Sequence, residues 1–213
     1  RIGDFSAKLI PIMFILYTGS SFFIIGSNLD QMSRVFSEIF TSALSFSSLA
    51  TGSIVGGAVS ALRWGIFKGV QITEAGLGTQ TIPHSMAETS DPKAQGALAM
   101  LSTFSAGAIA FLSGLVTLTT ETWKNDGLPL GINMVAASYE QYFSILGFVI
   151  FSFMSLLFGF GTIVGNSFNG SQCYGYLSQN KHMKYFLPFM GAIIFLGALG
   201  EVRVVWSSID MVL

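Results

Sequence analysis

From residue 9 to residue 29 the chain carries no Asp, Glu, Lys or Arg, and the same holds for 39–62, 94–120, 141–180 and 185–200. A bilayer core of about 30 Å takes roughly 20 apolar residues of helix. Charge-free runs of that length, separated by short polar connections, therefore constrain the fold more than any motif in the chain. They predict an all-α integral membrane protein, one transmembrane domain of about five to six spans: 9–29, 37–62, 96–120, 142–166, 185–200 and a truncated sixth at 204–213. Composition agrees. Only 10% of residues are charged, against roughly 25% in an ordinary soluble domain, and mean hydropathy is +0.64. A net charge of −1 offers no basic field for nucleic acid. Cys173 stands alone, so neither an intrachain disulfide nor a multi-cysteine metal site can form.

Lys and Arg set the orientation, because short cytoplasmic loops carry an excess of them. Taking the polar gaps alternately, one side holds Arg1, Lys8, Arg63, Lys68, Lys93, Lys181 and Lys184, and the other Arg34, Lys124 and Arg203. The richer side is expected to be cytoplasmic, with the amino end and loops 63–95 and 171–185. The 121–140 connection is expected outside, and is long enough for a short helix of its own. The chain opens on Arg1 rather than Met and stops at Leu213 inside an apolar run, which reads as a fragment of a longer protein. No cleavable secretory signal stands at the start.

The second span is unlike a plain anchor. Ser48, Gly52, Gly56 and Ser60 repeat every four residues, a pattern that lets a neighbouring helix approach closely. A second reading of 47–57, SSLATGSIVGG, is an interruption: repeated glycine among hydroxyl residues weakens the helix, and freed backbone groups then need a polar partner. A broken helix at the bilayer midplane is how secondary transporters present backbone to substrate and sodium. On that reading the second span is discontinuous, and Thr51, Gly52, Ser53 and Gly56 are candidate substrate contacts. In the third span Ser102, Ala106, Ala110 and Gly114 read as a packing stripe. In the fourth, Gly161 and Thr162 precede Asn166 by about one turn, so hydroxyl and amide share a face. Oxygen donors suit a hard cation such as sodium; equally, Thr162 can bond its own helix backbone.

The polar passage QITEAGLGTQT, 71–81, resembles a nucleotide-binding turn only superficially, since Thr81 stands where a third glycine is required and no Lys-Ser or Lys-Thr pair follows. His84 and Glu88 lack a further ligand for a transition metal, and Ser85 beside His84 cannot form a triad. Spans nearly free of ionisable side chains argue against an intramembrane enzyme. Thr73 is expected to cap a short helix beginning at Glu74, with Gly76 and Gly78 allowing a tight turn. Glu74, Gly76 and Gly78 are read as a cytoplasmic loop or inner-gate element.

The passage RWGIFKGVQITEAGLGT, 63–79, with Pro83, His84, Asp91-Pro92 and Gln95-Gly96 following, resembles the bacterial sodium:alanine symporter family. The order of spans around it is similar over roughly residues 8–212. The resemblance implies an inverted-repeat (5+5) sodium-symporter fold, of which this chain would be the carboxyl-terminal half. The missing amino-terminal half would then be a partner, together with the lipid bilayer, a small amino acid substrate and a sodium ion. It also implies Na+ as coupling ion, no cofactor, and residence in the bacterial cytoplasmic membrane. By the resemblance, Thr162 helps hold sodium and position 166 lines the substrate. The family usually has tryptophan there, so Asn166 is a departure that makes the pocket roomier and more polar.

The reading is thus a sodium-coupled symporter for alanine, glycine or a similar small amino acid, working by alternating access. The competing reading, motivated by Asn166 and the apparent truncation, is a degenerate, non-transporting paralogue that packs or scaffolds. A channel is disfavoured, since no charged ring or carbonyl filter is evident.

Overall fold

The computed structural model describes residues 2–44, 56–74, 76–125, 127–129, 131–200 and 204. Every regular element among them is helical: α1 (Ile2–Gly26), α2 (Leu29–Leu44), α3 (Gly56–Thr73), α4 (Thr81–Ser85), α5 (Pro92–Thr119), a 3-10 turn (Thr122–Lys124), α6 (Ile132–Ser178) and α7 (Met183–Leu199). The chain divides into two compact units, Arg1–Gly159 and Phe160–Leu213.

In the first unit α5 is central and touches α1, α2 and α3. Its start is written in Asp91-Pro92: the Asp91 carboxylate accepts from the Lys93 amide at 2.9 Å, and proline occupies the first turn, where its missing N–H is no loss. Leu112, Leu115 and Val116 are buried on the α5 face that meets Ile24 and Tyr17 of α1 and Tyr139 of α6. That face is one step round from the expected packing stripe. Ser102 is exposed and Ala106, Ala110 and Gly114 are half-buried, while a Cβ on Gly107 would lie 3.9 Å from Thr73 Cγ2 of α3.

Two sharp changes of direction shape this unit. At Ser27-Asn28 the chain turns by 90° between α1 and α2. Asn28 holds the corner from both sides, donating its amide to the Ile24 carbonyl at 2.6 Å and accepting from the Tyr142 hydroxyl. The second change is inside α6, where Ser144 leaves the helical region with φ 53° and ψ −148°. Residues 132–143 are thereby a short helix that overlaps the 121–140 connection and runs into the start of the expected 142–166 span, and a long helix follows.

In the second unit α6 turns back into α7. Gln179, Asn180 and His182 take left-handed backbone, and the Asn180 amide donates to the Gly175 carbonyl at 2.8 Å, a helix-terminating turn that asparagine tolerates. The two helices pack through Tyr174 and Phe186, stacked at 5.3 Å. Gly170 admits the Phe186 ring: a Cβ there would lie 2.9 Å from Phe186 Cζ.

Among the described residues α5 and α6 are long and apolar enough to cross a membrane, the bent pair α1–α2 makes three if counted as one span, and α7 is a shorter apolar helix. Five to six were expected. Residues 45–55 and 205–213, which carry the middle of the second span and nearly all of the sixth, lie outside the described residues.

Candidate functional site

Of the candidate substrate contacts, Thr51, Gly52 and Ser53 lie outside the described residues, and Gly56 opens α3. The expected interruption at 47–57 falls mostly on the same stretch. Gly161, Thr162 and Asn166 all sit on α6 in the second unit. The helix is continuous through them, so Thr162 and Asn166 do share a face one turn apart, and both are exposed on it. Gly161 is half-buried.

Glu74, Gly76 and Gly78 come together in the first unit, in a turn that differs from the one expected. Thr73 does not cap a new helix. It is the last residue of α3, and its hydroxyl donates back to the Gly69 carbonyl at 2.7 Å, the intrahelical bond that competes with capping for a threonine. Glu74 takes φ 54°, the left-handed position that ends a helix, and the next helix begins only at Thr81. Gly76 and Gly78 have φ 87° and 83°, where a side chain would strain the backbone.

Side-chain bonds fasten this turn to its surroundings. Thr79 donates to the Glu74 carboxylate at 2.6 Å. Gln80 donates to the Thr73 carbonyl at 2.9 Å and accepts from Thr103 of α5 at 3.3 Å. Gln95 of α5 donates to His84 Nδ1 at 2.6 Å. The loop is thus tied at two points to α5 and at one to the end of α3. A shallow, open depression lined by Gln80, Ala99, Thr103 and Phe104 lies beside it.

Sequence reasoning missed a buried polar junction in the first unit. Tyr139 of α6 is fully buried and its hydroxyl hydrogen-bonds with those of Ser20 at 2.8 Å and Ser21 at 3.0 Å, both on α1. Tyr17 stacks on Tyr139 at 6.1 Å and bonds to Ser113 of α5. A second knot joins Ser138 to Thr120 at 2.8 Å and Thr122 at 3.0 Å. The adjacent serines in an otherwise apolar span were the available signal, because a hydroxyl in a span needs a partner.

Beyond the end of α5, Glu121 gathers three elements. It pairs with Arg34 of α2 and, at 2.9 Å, with Lys124, which also stands 3.7 Å from Glu38 of α2. The hydrogen bond from Lys124 holds the Glu121 carboxyl below its ordinary range; partial desolvation opposes this and Arg34 reinforces it.

A sequence model of the sodium:alanine symporter family matches residues 1–213. Among curated relatives, the chain is 28% identical to the sodium/alanine symporter AgcS of Methanococcus maripaludis, over 98% of this chain and 46% of that protein. It is 27% identical to the probable sodium/glutamine symporter GlnT of Bacillus subtilis, over 99% and 44%, and 26% identical to a sodium/proton-dependent alanine carrier protein of Bacillus sp. PS3, over 99% and 51%. The chain spans about half the length of the curated relatives it matches. No solved structure matches it. With every residue from 1 to 213 inside the family match, the chain belongs to the sodium:alanine symporter family.

Proposed function

We propose that this chain is part of a multi-pass secondary transporter of the bacterial cytoplasmic membrane that couples inward movement of sodium to uptake of alanine, glycine or a similarly small amino acid. The observation that carries the reading is the family match along the whole chain. Thr162 and Gly161 are assigned to the sodium ion, which hard oxygen donors suit. Thr51, Gly52, Ser53, Gly56 and Asn166 are assigned to the amino acid. An interruption of the helix at 47–57, as expected from the sequence, would supply backbone donors and acceptors for substrate amino and carboxylate groups without placing a charge in the bilayer. The Glu74–Gly76–Gly78 turn is assigned to the inner gate, since it is bonded to α5 and to the end of α3 and can follow their relative motion.

Uptake of labelled alanine, glycine and glutamine into vesicles holding the protein at its full natural length tests this. An inward sodium gradient is expected to drive accumulation of at least one of them; equal uptake with choline in place of sodium would sink the coupling. Asn166→Trp is expected to narrow the range toward the smallest substrate, because an indole fills space that an amide leaves open. An unchanged range would remove position 166 from the pocket.

A further inference from the structure

We infer that α2 lies along the membrane surface, with its Leu29–Phe36–Phe40 edge immersed in the lipid headgroup and upper acyl region, rather than forming the start of the second span. The inference concerns the outline of the protein in the bilayer and does not depend on which substrate is carried.

The first observation is the corner. α2 leaves α1 at 90°, and Asn28 fixes that corner by bonds to Ile24 and Tyr142. α1 has 25 residues, and its charge-free part, 9–26, is about 27 Å long at 1.5 Å per residue, most of a hydrocarbon core of about 30 Å before α2 begins. The second is depth. Arg34 and Glu38 of α2 pair with Glu121 and Lys124, just past the end of α5, which at 28 residues is about 42 Å long. α5, a helix of spanning length, ends there and α1 ends at the corner beside it, so α2 runs at the boundary between membrane and water. Half-exposed Trp123, with Lys124 over its ring at 5.3 Å, is the residue pair expected at that boundary.

The third observation is the division of the helix surface. At about 100° per residue, α2 has three flanks. Gln31, Val35 and Glu38 form the flank against the protein, with Val35 buried. Asp30, Ser37 and Thr41 form an exposed polar flank. Leu29, Phe36 and Phe40, 65%, 41% and 63% exposed, fall within about 40° of one another on the remaining side. A helix with protein on one side, water on the second and phenylalanine on the third matches an in-plane interfacial helix. Phe22 and Phe23, at the end of α1 just before the corner, are exposed as well.

The test is spin-label accessibility in the protein at its full natural length, freed of native cysteines and reconstituted in phosphatidylcholine–phosphatidylglycerol vesicles. Single labels go on Phe36→Cys, Phe40→Cys and Ser37→Cys, with Phe104→Cys in the middle of α5 as the deep reference. Labels at 36 and 40 are expected to collide more with oxygen than with a water-soluble nickel chelate, at a depth shallower than 104, and the label at 37 to show the reverse. A label at 40 shielded from both agents would mean that another part of the transporter or a second copy covers this edge, and would overturn the inference. So would a label at 40 as deep as 104, which makes α2 part of a span, or one dominated by the nickel chelate, which makes it a solvent loop. Uptake by each labelled variant is measured in parallel, so that loss of transport and loss of lipid contact are read separately.

Discussion

The Tyr139 hydroxyl is the shared partner of two serines on α1, one of them fully buried. Tyr139→Phe keeps the ring stack on Tyr17 and removes only the hydroxyl. It is expected to cost about 1 kcal/mol, read as a lower Tm in detergent, with Ser21→Ala in the same background restoring part of the loss by removing the orphaned donor. A Tm equal to that of the parent would show that the hydroxyls re-pair elsewhere. Glu121 makes a prediction of a different kind. Its carboxyl titrates below the ordinary value, so its ties to Lys124 and Arg34 are fully present above the free carboxylate pKa, about 4.3, and are lost as pH falls through the lower, folded value. The Tm gap between the parent and Glu121→Gln should therefore stay constant from about pH 8 to about pH 5 and close only in more acidic solution. A gap that closes near neutrality would contradict the arrangement.

At the scale of elements, the break in α6 is the most demanding feature. A Cβ on Gly147 would stand 2.1 Å from the Tyr139 carbonyl oxygen and 2.8 Å from Phe143 Cβ, because the unusual backbone at Ser144 brings the two helical pieces into direct contact. Gly147→Ala is expected to destabilise by about 1–3 kcal/mol or more, measured by thermal unfolding, whereas Gly159→Ala, with open space around it, should have little effect. None of this was legible beforehand. A serine inside an apolar run carries no local signal of a break, and the role of Gly147 exists only once Ser144 has bent the chain. Likewise Thr73 fits equally well as a cap or as an intrahelical donor, and only the position of α3 decides between them. By contrast, the helical character and the tight turn at Gly76 and Gly78 were legible, whereas the capped start of α5 at Asp91-Pro92 lies a turn ahead of the expected 96–120 span. The legible features rest on hydrocarbon length or on backbone sterics, which act within a few residues. The Tyr139 junction joins residues more than a hundred positions apart, beyond the reach of any periodicity.

For the whole molecule, the uncharged runs and the EAGLG passage pointed to a membrane transporter family, and the match over residues 1–213 bears that out. The candidate site is another matter. Gly161, Thr162 and Asn166 fall on α6 in one unit and Gly56 opens α3 in the other, Thr51, Gly52 and Ser53 lie outside the described residues, and the chain spans about half the length of its curated relatives. One dimension of the fold can be turned to use directly. After the break at Ser144, α6 runs on without interruption to Ser178, about 50 Å at 1.5 Å per residue, against a hydrocarbon core of about 30 Å. Its final turns are rich in Asn, Ser and Gln, side chains suited to the polar zone beyond the lipid core, and they carry exposed Cys173. On the expectation from the Lys and Arg distribution that 171–185 is cytoplasmic, a membrane-impermeant maleimide should label Cys173 in inverted vesicles and not in intact cells; the opposite pattern would turn the whole topology over.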